Sequence, residues 1–182
     1  AATEHLVELG HQRIAFVGVT PTLSTGQDRV RGYRSALAEA RIDSSQELIA
    51  LGPPRASFAR KAFIELYSSH RPSAVVSGGS QVTGGILQGI AELGLSVPGD
   101  VSFVAYNDSG FYESWKPRLT AIALPVREIA LAGSAALIRR IRERDTRAGA
   151  AADTQHALYL PRLKVRRSTA APVRSPLRAE AG

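Results

Sequence analysis

The stretch SAVVSGGSQVTGGI, residues 73–86, decides how the rest of the chain is read. A short apolar run enters a glycine-rich turn and leaves it as a helical pattern. The two glycines of Gly79-Ser-Gln-Val-Thr-Gly84 have phosphate-loop spacing. Such a loop, however, needs a Lys to reach the terminal phosphates and a Ser or Thr hydroxyl for the metal. Gly85 and Ile86 stand in those places. Backbone N–H groups and a helix dipole alone make a much weaker anion site. The strand-turn-helix unit therefore needs another purpose, and the unit recurs along the chain.

Working outward, helical periodicity runs over about 1–9, 28–41, 56–69, 80–94 and 126–144. Short apolar runs separate these patterns: IAFVGV at 14–19, ELIALG at 47–52, SAVVSG at 73–78, VSFVAY at 101–106 and LTAIAL at 119–124. Continuous apolar strands alternating with helices are what a parallel sheet covered on both faces requires. The fold expected is α/β, a Rossmann-like doubly wound parallel sheet. Ligands of such sheets sit at the carboxyl ends of the strands. That directs attention to the loops 19–28, 52–56, 77–81, 106–118 and 124–126.

Composition narrows the function. The net charge is +7, but residues 1–138 hold 12 Lys/Arg against 12 Asp/Glu, whereas 162–182 hold 6 against 1. A neutral body with a basic end speaks against a phosphate-binding groove across the folded part. Residues 171–182, rich in Ala, Pro and Arg, are expected to form a disordered basic tail. The chain has no cysteine, which excludes disulfides and thiolate metal sites. It has no apolar segment long enough for a membrane span and no export signal at its start. It also lacks methionine, from which a fragment of a longer protein is expected.

Several phrases, in order, resemble the effector-binding core of the LacI/GalR (lactose-repressor) family of bacterial transcription regulators. They are HLVELGHQRIAFVG at 5–18, Arg29-Val-Arg-Gly32-Tyr33, LGLSVPGDVS at 93–102, Tyr106-Asn-Asp108, Pro117-Arg-Leu-Thr120-Ala-Ile and Arg166-Arg-Ser-Thr169. Together they cover roughly residues 4–169. The resemblance implies a periplasmic-binding-protein type I-like fold of two subdomains around an effector cleft. On that template 1–124 is the C-terminal effector-binding subdomain, 125–162 a helix and return segment of the N-terminal subdomain, and 163–170 a last strand returning to the first. The template further implies a cytoplasmic homodimer and a sugar or related small molecule as effector. Operator DNA would be read through an N-terminal domain absent here. Two alternatives stand beside it: a secreted sugar-binding protein of the same fold, and a nucleotide-dependent α/β enzyme using the 79–85 loop.

The resemblance assigns Arg29, at the opening of the second helix, to the effector; a guanidinium suits sugar hydroxyls or a carboxylate. The bland reading is a surface arginine paired with Asp28. Gly79 and Ser80 stand where the family carries Asn-Asp, leaving permissive turn glycines at 78 and 79 and an N-cap at Ser80. Asn107 replaces a family Asp that accepts hydrogen bonds from a sugar, which disfavours cationic ligands. Trp115 either stacks on a ligand ring or folds back onto the sheet. Leu124 ends the fifth strand and completes the expected effector set. Gly32, Tyr33, Gly85 and Asp108 are expected to be structural, Gly85 by letting its helix pack closely on the sheet and Asp108 as a turn residue. His11 is expected at a helix end, while His5, His70 and His156 lack metal-site spacing. No cofactor, metal or catalytic set is expected, and the effector itself stays unnamed.

Overall fold

The structure, a computed structural model, describes residues 1–146 and 157–173. Six strands form one sheet in the order β2-β1-β3-β4-β5-β6. They are β1 (Ile14–Val19), β2 (Ile49–Gly52), β3 (Ala74–Ser77), β4 (Ser102–Tyr106), β5 (Thr120–Ala123) and β6 (Arg162–Lys164). All pairings are parallel except β5 with β6, where Ile122 stands opposite Leu163. The helices are α1 (Ala2–Glu8), α2 (Ser24–Glu39), α3 (Ala56–His70), α4 (Ser80–Glu92), a short α5 (Phe111–Ser114) and α6 (Val126–Thr146).

Strand residues alternate between two cores, as the pleat dictates. Ala15, Val17, Val75, Phe103 and Ala121 face α3 and α4, where Phe63, Val82 and Ile86 meet them. Phe16, Val76 and Val104 face α1 and α2, against Leu6, Tyr33 and Leu37. The Tyr33 hydroxyl donates to the Ile14 carbonyl at 2.7 Å, and burial pushes its pKa up to about 12. With β1 lying between β2 and β3, which are reached in opposite directions, the carboxyl ends of β1 and β3 form the topological switch point, where open α/β sheets bind ligands.

Three expectations are corrected here. Helix α2 begins at Ser24, earlier than its apolar periodicity suggested, because its first turn lies on the Thr20 carbonyl and carries Gly26 there; a Cβ at Gly26 would stand 2.4 Å from that oxygen. Gly85 does not serve packing on the sheet. A Cβ there would meet the Ala56 carbonyl oxygen at 2.2 Å and Ala59 Cβ at 2.7 Å, so the close partner is α3. The strand expected over 163–170 covers only Arg162–Lys164. Beyond it the chain leaves the sheet and crosses the amino ends of β4 and β5. There Phe103 N–H donates to the Ser168 carbonyl at 2.7 Å, and the buried Ser168 hydroxyl donates to the Phe103 carbonyl at 2.6 Å. His11 is buried where expected at the end of α1, 2.8 Å from both Ser73 Oγ and the Ala170 carbonyl.

Helix α6 leaves the carboxyl end of β5 and stands off the body. From 126 to 142 every residue is exposed except the half-buried Ala136. His156 and residues 174–182 of the expected tail lie outside the described residues.

Candidate functional site

At the switch point the backbone of β1 approaches the turn after β3. A Cβ on Gly78 would fall 2.7 Å from the Phe16 ring and 2.8 Å from Gly18 Cα, so this glycine answers a close approach. Gly79 is extended, with φ −176, a conformation open to any residue. The expectation of permissive turn glycines is therefore corrected. So is the N-cap at Ser80: Gly79 holds the cap position without a side-chain bond, and Ser80 is the exposed first residue of α4. The turn is held from inside instead. Thr83 Oγ1 donates to Ser77 Oγ at 2.9 Å, and Ser77 Oγ donates to the Gly79 carbonyl at 3.0 Å. Thr83 Oγ1 also accepts the Tyr106 N–H at 3.1 Å, which joins the turn to the end of β4.

Arg29 reaches this point from the second turn of α2, not from the helix opening as expected. Its Nη1 donates to the Gly78 carbonyl at 2.7 Å and its Nη2 to the Tyr106 hydroxyl at 2.6 Å. The guanidinium carbon lies 4.1 Å from the centre of the Tyr106 ring, within cation–π range. Asp28 is not its partner, because that carboxylate takes Arg31 at 2.8 Å. Half-buried, Arg29 is held by neutral groups at the sheet edge.

Asn107 adopts φ +64, a left-handed conformation that Asn tolerates better than most residues. Asp108 is more than the turn residue expected. Arg166 grips it bidentately at 2.9 and 3.0 Å, and Lys164 of β6 approaches to 2.7 Å. Hydrogen bonds from Arg166 are the main reason that its carboxyl is held below the usual range. Glu113 adds a 3.1 Å contact to Arg166, whose guanidinium pKa is raised chiefly by its hydrogen bonds to Asp108. This network clamps the β6 return to the loop that carries Asn107.

A cavity of about 310 Å³ opens beside Arg29, at the lower end of the range typical of small-molecule sites, about 300–1,000 Å³. Phe16, Tyr33, Val76 and Ile122 make its apolar wall, and Arg29, Gly78 and Tyr106 its polar end. Of the expected effector residues only Arg29 lines it; Gly32 and Tyr33, expected to be structural, line it as well. Gly79, Ser80, Asn107 and Leu124 lie near the same strand ends without lining the cavity. Trp115 lies apart. It packs against the α3/α4 core and meets Phe111 edge-on at 5.3 Å, beside a second hollow with Lys116, Arg118 and Arg167. Gly32 is exposed, and a Cβ there would meet nothing within 4 Å. Sequence reasoning assigned no role to Tyr106 or Phe16 at the site. Strand parity was the available signal, since 16, 18, 76, 78, 104 and 106 fall on the one face that α2 covers. Among the described residues no group of His, Cys, Asp and Glu could hold a metal ion, and no helix is long and apolar enough to cross a membrane.

Comparison with known proteins agrees with this geometry. The periplasmic binding protein-like domain family matches residues 3–169. The HTH-type transcriptional regulator GalR of Salmonella typhimurium is 35% identical over 126 residues, 69% of this chain and 37% of that protein. A probable opine utilization operon repressor of Rhizobium rhizogenes is 34% identical over 149 residues, 78% of this chain and 75% of that protein. Among solved structures, a LacI family regulator from Mycobacterium smegmatis superposes with a TM-score of 0.81 at 32% identity, covering 94% of this chain and 62% of that one. One from Enterococcus faecium with bound ribose gives 0.79 at 28%, covering 93% and 61%. Of GalR this chain spans little more than a third. The sheet order, the edge cavity and these matches together place the chain in the LacI/GalR family of transcription regulators, whose periplasmic-binding-protein-like domain it carries.

Proposed function

We propose that this chain is the effector-binding and dimerisation portion of a cytoplasmic bacterial transcription regulator, and that its effector is a sugar or related small molecule held at the carboxyl edge of the sheet. Arg29 is the principal effector-binding residue; Gly79, Ser80, Asn107 and Leu124 stand at the same strand ends outside the cavity lining, as further contacts for a ligand that extends along the edge, while Trp115, packed against the α3/α4 core, takes no part. The observation that carries this reading is the half-buried Arg29 held over Tyr106 beside a cavity at the switch-point edge. The relatives are transcriptional regulators, which are not enzymes. We assign no catalysis and no cofactor.

The domain boundaries follow the same reading. Residues 1–124 form the effector-binding subdomain, 125–162 belong to a partner subdomain, and 163–170 return. The exposure of Ile129, Leu137 and Ile141 on α6 supports the middle assignment. Effector binding would favour one arrangement of the two subdomains, and a DNA-reading domain elsewhere in the protein would respond to it. The test is thermal. Arg29→Ala is expected to remove effector-induced stabilisation of the full-length regulator while leaving the ligand-free Tm nearly unchanged, because ligand that binds only the folded state stabilises it by mass action. An unaltered ligand shift in the variant would sink the assignment.

A further inference from the structure

The charge balance at the cavity says more about the effector than its shape does. Arg29 is half-buried, yet each partner it touches is neutral: the Gly78 carbonyl, the Tyr106 hydroxyl and the Tyr106 ring. The nearest carboxylates in sequence are committed elsewhere. Asp28 pairs with Arg31 at 2.8 Å, and Asp108 with Arg166 and Lys164. Asn107, next to Asp108 on the sheet edge, brings an amide and no charge. Of the side chains that line the cavity, Arg29 and Arg162 are cationic and Glu4 alone is anionic. Glu4 is exposed, at the start of α1.

A cation removed partly from water and given no counter-charge is an incomplete pair, and a ligand anion completes it at little cost in reorganisation. The guanidinium fork also matches a carboxylate in geometry. We infer that the effector carries a carboxylate, as a sugar acid or comparable hydroxylated acid does, and that Arg29 is the group that selects it over the corresponding neutral sugar. The apolar wall of Phe16, Tyr33 and Val76 would take the carbon face of the ring, and the hydroxyls would meet Tyr106 and the backbone at Gly78. This rests on the proposed effector site and specifies its ligand class.

The test uses matched pairs that differ only in one carboxylate: D-glucose with D-glucuronate, and D-galactose with D-galacturonate. Each is titrated into the ¹⁵N-labelled full-length regulator and followed by NMR at the Gly78 and Tyr106 amides and the Arg29 Nε, which reads weak binding. At least one acid is expected to bind about tenfold or more tightly than its neutral partner, the effect of one charge-assisted contact. The preference should weaken as salt rises. It should fall to about one in Arg29→Gln. A neutral sugar binding as tightly as its acid, with the same amides shifting, would overturn the charge inference and leave the site standing. Shifts at neither set of amides with any of the four compounds, up to tens of millimolar, would overturn both.

Discussion

A methyl group added at Gly85 would stand 2.2 Å from the Ala56 carbonyl oxygen, whereas one added at Gly32 would touch nothing. Both glycines lie inside helices, where Gly is less favourable than Ala by about 0.5–1 kcal/mol. Their substitutions should therefore move stability in opposite directions. Gly85→Ala is expected to cost about 1–3 kcal/mol through overpacking of α3 on α4. Gly32→Ala is expected to gain the helix increment, about 0.5–1 kcal/mol. Urea unfolding of the two variants checks this, and a neutral Gly85→Ala would mean that the helices separate freely. The contrast also marks what the sequence could reveal at this scale. A glycine amid the apolar positions of α4 signals close packing, but periodicity cannot tell whether the neighbour is a sheet or a helix. Arg29 was legible as a site residue through the Arg-x-x-Gly-Tyr phrase. Its hold on Tyr106 was not, because nothing local links residues 77 positions apart.

At the level of elements, the segment 166–170 acts as a strap held by backbone and side-chain bonds together. Ser168 is fully buried and its hydroxyl accepts the Thr120 N–H at 2.8 Å. His5 Nε2 is 3.0 Å from Thr169 Oγ1, and His11 reaches the Ala170 carbonyl. Both histidines have lowered pKa values, burial being the leading cause. A histidine whose folded pKa is depressed binds protons more readily in the unfolded chain, so stability falls as pH drops below its ordinary value of about 6.5. Unfolding free energy is expected to decline from pH 7 to pH 5. His11→Gln should be less stable at pH 7 but show a shallower decline over that range. An equal slope in the variant would remove His11 as a cause. Asp108 adds a second, lower step. Its depressed carboxyl loses its stabilising contribution as pH falls through the folded pKa, below the ordinary value of about 3.9. The five parallel strands were readable from apolar runs that need no partner for recognition. The strap was not, since Arg-Arg-Ser-Thr carries no periodicity and its bonds depend on Phe103 and Thr120 arriving from elsewhere.

For the whole molecule the decisive feature is α6. Val126, Ile129, Ala130, Gly133, Leu137 and Ile141 fall at i, i+3, i+4, i+7, i+11 and i+15, an apolar stripe along one helix face. Leu131 and Ile138, about 60% and 50% exposed, lie beside it and widen the apolar arc beyond a single line. The large residues of the stripe itself are 46% to 60% exposed. Burying such a side chain fully is worth about 1.5–3 kcal/mol, so several left wet on one helix favour any contact that covers them. The isolated chain is therefore expected to self-associate through α6, or to leave the helix open to proteases. Light scattering across a concentration series, combined with limited proteolysis, distinguishes the two. If association occurs, Leu137→Glu with Ile141→Glu should abolish it without lowering the Tm of the body, because neither residue contributes to the two cores of the sheet. A protease-resistant monomer at high concentration would mean that α6 docks on its own subdomain, and the assignment of 125–162 to a partner subdomain would then fall.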